Sequence, residues 1–112
     1  MTSPASPPRF AEIEWLARTD DVNVRINTLE PRHGTPWHYH TVVDDHVFCM
    51  EGGLEVSLRD PPRAVRLAPG ERVHVPPGQV HRVVNLTDRP LRYLLVQATG
   101  RYDFNVVEDQ GP

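Results

Sequence analysis

Hydrophobic and polar positions alternate through most of the chain, and turn residues interrupt the alternation roughly every 8–12 positions. From Val22 to Glu30, one face carries Val22, Val24, Ile26 and Thr28 and the other Asn23, Arg25 and Asn27, the pattern of a half-buried strand. Upstream, EIEWLAR (Glu12–Arg18) puts Ile13, Trp15 and Ala17 on one side, which suits a strand or a single helical turn. Trp37–Thr41 and Asp45–Glu51 read as two further strands. Gly52-Gly53 then predicts a hairpin, because a glycine pair supplies the positive φ angles of a two-residue turn. Beyond it Leu54, Val56 and Leu58 point inward. Pro61-Pro62 breaks that strand, and Arg63–Ala68 returns with Val65 and Leu67 inward. Pro69-Gly70 turns into Arg72–Val75, and Pro76-Pro77-Gly78 turns before a strand from His81 to about Leu86. Leu91–Ala98 is apolar on both faces, as a central strand covered on both sides would be. Tyr102–Val107 adds a last strand. No helix of ordinary length is predicted, and the fold class is all-β, a sandwich or barrel.

Composition narrows the function classes. A chain of 112 residues makes one domain with a core large enough to fold without staples. Its Pro/Ser-rich start, Met1–Pro8, reads as a disordered tail, leaving 9–112 as the domain. The single cysteine, Cys49, excludes an internal disulfide and a CxxC zinc site, and reads as a small buried side chain. A net charge of −3 with scattered arginines argues against a nucleic-acid groove. All 12 basic residues are arginine, a bias expected of a GC-rich bacterial genome. MTSPASPP lacks the basic and apolar regions of a secretory signal, and nothing approaches the roughly 20 apolar residues of a membrane span. The expectation is a cytoplasmic protein with neither nucleic acid nor membrane as partner.

The candidate chemistry sits in two stretches. In GTPWHYHTVVDDHVFCMEGG (Gly34–Gly53), His38 and His40 are two apart, so on an extended strand both imidazoles project from one face. Asp44 and Asp45 follow, and His81 lies in GERVHVPPGQVHRVVN (Gly70–Asn85). Three imidazoles and a carboxylate suit iron, manganese, nickel, copper or zinc. The fourth donor is open: Asp45, Asp44 if the strand starts one residue earlier, or His46. Alternation opposes His46, because with Asp45, Val47 and Cys49 inward, His46, Phe48 and Met50 face out. Asp44, His46 and His74 are the evident spare proton carriers. Trp37, Tyr93 and Phe104 read as core or cavity wall, and His33 as solvated.

The second stretch resembles the second motif of the cupins at each defined position: Gly70, Pro76, Gly78, His81 and Asn85. The first resembles the first cupin motif, a glycine, His-x-His, an acid and a glycine after a strand. Here Gly34 lies closer to the histidines than the usual five residues, and aspartate stands for glutamate. The family's spacing, counted back seven from Gly52, selects Asp45. The resemblance covers roughly residues 22–98 and implies a double-stranded β-helix, a jelly-roll barrel, holding one divalent transition metal through His38, His40, Asp45 and His81. It implies that Gly70, Pro76, Gly78 and Asn85 build the turn that delivers His81. It further implies a homodimer joined through a sheet face, and Phe48 and Met50 on an outer face need the cover. For function it implies a metalloenzyme acting on a small oxygen-rich chelating substrate. Iron would allow dioxygenase chemistry; other metals would favour a Lewis-acid isomerisation, cyclisation or lyase step. The alternative is a non-catalytic module binding a small molecule, and a structural barrel with a vacant site is a third reading.

Overall fold

Ten strands, and no helix, account for the regular structure of residues 10–107, which are the residues the structure, a computed structural model, describes. The tail expected over Met1–Pro8 lies outside them. In chain order the strands are β1 (Phe10–Arg18), β2 (Val22–Leu29), β3 (His38–Tyr39), β4 (Asp44–Cys49) and β5 (Leu54–Arg59). They continue as β6 (Pro62–Leu67), β7 (Arg72–Val75), β8 (His81–Asn85), β9 (Leu91–Ala98) and β10 (Asn105–Val106). Glu12–Arg18 is therefore strand rather than helical turn.

The strands form two five-stranded sheets, ordered β1-β2-β9-β4-β7 and β10-β3-β8-β5-β6, with antiparallel pairing throughout. Their inner faces enclose one apolar core that includes Leu29, Val47, Leu54, Val56, Val75, Leu91 and Tyr93, each nearly or fully buried. Full burial of one such aliphatic side chain contributes about 1.5–3 kcal/mol. Leu54, Val56, Leu58 and Leu67 turn inward as their alternation predicts.

Gly52-Gly53 does not close a hairpin. β4 and β5 lie in different sheets, so the pair belongs to a crossing between them. Gly53 has φ +102°, and a Cβ there would run into the Thr87 side chain, so glycine serves a close approach as well as the backbone turn. Gly34 answers to the same constraint: its Cβ would sit 2.6 Å from the Val83 carbonyl oxygen, on a segment bridged to β8.

β2 keeps its predicted alternation but buries the polar half. Asn23, Arg25 and Asn27 face the interior, while Val22, Val24 and Ile26 are half-exposed on the outer face. The cause is the neighbouring strand. β9 aligns Arg25 with Leu95 and Asn27 with Tyr93, and Tyr93 accepts a hydrogen bond from Asn27 Nδ2 at 3.2 Å. β9 is central, as expected, but among the described residues only its inner face is fully covered: Leu94 and Val96 are half-exposed.

The turn residues of the second stretch act as predicted. Gly70 and Gly78 have positive φ, and Gly78 N–H donates to the His40 carbonyl, tying the turn before β8 to the histidine segment. Fully buried Asn85 ends β8. Its Nδ2 donates to the carbonyls of Leu29, Glu30 and Arg89, while Oδ1 accepts from the backbone and hydroxyl of Thr87.

Candidate metal centre

Two adjacent strands of one sheet and one strand of the other bring the four predicted donors together. β3 and β8 pair His38 directly opposite His81, their rings 4.3 Å apart. His40 lies two residues along on the same face. Asp45 comes from β4 across the barrel, on the inner side with Val47 and Cys49. One ligand atom from each of His38, His40, Asp45 and His81 falls within 4.8 Å of every other, and all four residues are buried.

The hydrogen bonds orient the rings. His38 Nδ1 is 2.8 Å from the Pro36 carbonyl oxygen, His40 Nδ1 2.6 Å from that of Asp103, and His81 Nδ1 2.8 Å from that of Gln79. A carbonyl only accepts, so each Nδ1 carries the proton and each neutral ring offers its Nε2 lone pair to the interior. Asp45 Oδ2 lies 3.1 Å from His40 Nε2 and 3.0 Å from His81 Nε2. Gln97 Nε2 donates to the other oxygen, Oδ1, at 2.9 Å and fixes the carboxylate plane.

Charge in this cluster is constrained. Burial raises the Asp45 carboxyl, but the hydrogen bonds from His40 and His81 outweigh it and hold the group well below the usual carboxylate range. Burial lowers His40, yet its hydrogen bond to Asp45 prevails and raises it. Burial, with His81 close by, lowers His38 to about 3, so this imidazole is neutral. His40 and His81 both direct Nε2 at the same Asp45 oxygen, and a divalent cation would be held between that carboxylate and the imidazole lone pairs. The donor set therefore fits such an ion.

The cavity beside these groups is lined by His38, His40, Asp45, Arg25, Tyr93 and Gln97, with Tyr102 and Phe104. Phe104 stacks on His38 with ring centroids 4.3 Å apart, and Tyr102 approaches His40 at 5.5 Å. β10 holds this terminal segment in place by pairing with β3. Tyr93 and Phe104 line the cavity as expected; Trp37 does not, and is flanked instead by Arg59 and Arg82 at 4.5 and 5.6 Å. Arg25, Gln97 and Tyr102 also line it and were not singled out as site residues. Gln97 shares a face of β9 with Leu91, Tyr93 and Leu95, whereas Arg25 lies on the polar side of β2, which alternation alone does not assign to the interior.

Asp44, His46 and His74 gather on the outer face of the first sheet. His46 and His74 are register partners with stacked rings 4.9 Å apart, and His74 Nε2 lies 3.1 Å from Asp44 Oδ1. None of the three lines the cavity, so the proton carriers suggested by sequence are on the wrong side of the sheet for chemistry inside it. No helix among the described residues is long and apolar enough to cross a membrane.

Comparison with known proteins agrees with this architecture. The chain is 31% identical over 111 residues to a glucose-6-phosphate isomerase of Thermococcus litoralis, a match covering 88% of this chain and 58% of that protein. The chain thus spans little more than half of that relative's length. A double-stranded β-helix protein of Klebsiella pneumoniae superposes with TM-score 0.71 at 23% identity, covering 97% of this chain and 90% of the other. A polyketide cyclase of Streptomyces resistomycificus gives TM-score 0.68 at 25% identity over 82% of this chain and 64% of its own. The cupin domain family matches residues 25–97, more than half of the sequence and all the strands from β3 to β8, and the chain belongs to that family.

Proposed function

We propose that the chain is a metalloenzyme that holds one divalent transition metal through His38, His40, Asp45 and His81 and rearranges a small oxygen-rich chelating substrate. The observation that carries this reading is the triple Nδ1-to-carbonyl arrangement, which presents three Nε2 lone pairs beside one carboxylate. When bound, a divalent ion supplies Lewis acidity toward a chelated substrate oxygen. The chain's residues supply the rest. Gln97 keeps Asp45 in the orientation its ligand role needs, and Phe104 and Tyr102 wall the histidines from water. Burial raises the Tyr102 hydroxyl above its ordinary value against the opposing pull of Arg25, so near neutral pH it keeps its proton and can donate to a substrate oxygen. The names of two relatives, an isomerase and a cyclase, accord with redox-neutral chemistry.

Elemental analysis of freshly purified protein tests the reading, beside the His38→Ala/His81→Ala double variant and a His74→Ala control. About one equivalent of zinc, manganese or nickel is expected in wild type and in His74→Ala, and little in the double variant. Iron at that level would redirect the search to O₂-dependent chemistry. Full metal content in the double variant would refute the ligand assignment. A bound metal without turnover of enolic, keto-acid or sugar substrates would leave a binding module in place of an enzyme.

We also propose that two copies associate through the outer face of the first sheet. Val24, Ile26, Phe48, Leu94 and Val96 form a half-exposed apolar surface there, and Met50 extends it.

A further inference from the structure

We propose that Arg25 binds a carboxylate of the substrate, so that the cavity selects small carboxylates carrying a second oxygen donor over neutral molecules of the same shape. The inference deepens the preceding reading of the cavity as a substrate site, but it does not depend on the metal.

Arg25 is 8% exposed, lines the cavity, and its Nε has no hydrogen-bond partner among the described residues. Among the described residues no carboxylate lies within ion-pair distance of it. The acid that shares its cavity, Asp45, is already engaged by His40, His81 and Gln97. The guanidinium hydrogen-bonds the Tyr102 side chain, and its central carbon lies 5.0 Å from the Trp15 ring and 5.7 Å from that of Tyr102, so its partners are neutral.

A buried, permanently charged group without a counter-ion is costly, and a ligand carboxylate would supply that counter-ion. Guanidinium and carboxylate match as planar partners, two parallel N–H···O bonds each strengthened by charge. The rest of the cavity has the same bias. Three neutral imidazoles, one carboxylate and a divalent ion leave a net charge of about +1, to which Arg25 adds another. Gln97 Oε1 is also buried without a partner, a ready acceptor for a substrate hydroxyl.

The alternative is that Arg25 only packs against Trp15. That role predicts a stability loss on substitution and no change in ligand preference, so preference is the decisive readout. Salicylate and salicylamide are near-isosteric probes, one with a carboxylate beside a phenol and the other neutral. Calorimetric titration of wild type, both chelator-treated and zinc-loaded, is expected to favour salicylate by about tenfold or more. In Arg25→Gln the preference should collapse to within about twofold, and Arg25→Lys should retain part of it. Should these variants fold poorly, ¹⁵N spectra of the wild-type arginine Nε groups give a direct test: salicylate should shift the Arg25 resonance and salicylamide should not.

Equal affinity of wild type for the two probes, a preference that survives in Arg25→Gln, or an unmoved Nε resonance would each overturn the proposal. Inorganic phosphate that matches salicylate in affinity and displaces it would overturn the carboxylate assignment. If zinc fails to bind but chelator-treated protein still shows the Arg25-dependent preference, the metalloenzyme reading falls and the anion site stands.

Discussion

His38 and His40 show how two like residues on one strand face acquire opposite acid–base behaviour. Burial lowers His38 to about 3, while the Asp45 hydrogen bond raises His40 despite burial. In metal-free protein the two act in separate pH ranges. Unfolded chains protonate His38 below about 6.5 but the folded state resists until about 3, so stability falls as pH drops across that interval. Folded His40 keeps its proton to higher pH than the unfolded chain does. Its contribution is complete below about 6.5 and is lost as pH rises through its raised folded pKa. Chelator-treated protein should therefore be most stable near pH 6.5, by urea unfolding across about pH 4.5 to 8.5. His38→Asn should flatten the acid side alone; an acid-side loss of undiminished slope in that variant would contradict the account. At this scale the convergence of His38, His40 and His81 was legible because spacing of two on a strand and the second motif locate them. Gln97 and Arg25 were not, since no motif names them and each reads locally as one polar residue in an alternating strand.

Among the elements, β8 and the turns that flank it carry the most information in the sequence, and Asn85 shows why. The side chain satisfies three carbonyls from two other segments and accepts two bonds from Thr87, which closes the end of β2 against the turn before β9. Only a carboxamide supplies donor and acceptor together at that size. Asn85→Ala should destabilise the protein by about 2–4 kcal/mol, and Asn85→Asp by a similar amount, because a carboxylate cannot donate to the carbonyls. Urea midpoints compared at constant m-value check this, and a shift equivalent to less than about 0.5 kcal/mol would show the plug to be dispensable. Where the elements were misread, the reason is that local pattern is blind to tertiary placement. Alternation tells which residues share a face of β2, not which face meets the interior. The glycine pair between β4 and β5 signals a change of direction equally well for a hairpin and for a crossing between sheets. Leu94 and Val96 are apolar on the outer face of β9, and none of the described residues covers them fully.

That uncovered face belongs to the whole molecule, and it bears on assembly. Along the outer side of the first sheet, Val24 and Ile26 of β2, Leu94 and Val96 of β9 and Phe48 of β4 stand side by side, because the register pairs Val24 with Val96, Ile26 with Leu94 and Leu94 with Phe48. On the edge strand β1, Ile13 and Trp15 lie opposite Asn27 and Arg25 and so share the inner side of the sheet, and the outer apolar face ends at β2. A continuous apolar sheet face of this kind is rare on a soluble monomer, and an identical face on a second copy is a self-complementary partner for it. The inner face already has its own core, so the contact can be broken without emptying the barrel. Phe48→Glu puts a charge beside Leu94 in that face and should separate the copies while leaving the interior intact. Light scattering at micromolar concentration should give the mass of two chains for wild type and of one for the variant, with zinc uptake at His38, His40, Asp45 and His81 preserved in both. A wild-type mass near one chain would dismiss the association. A variant that loses metal together with its partner would mean that the barrel depends on its neighbour to hold the site.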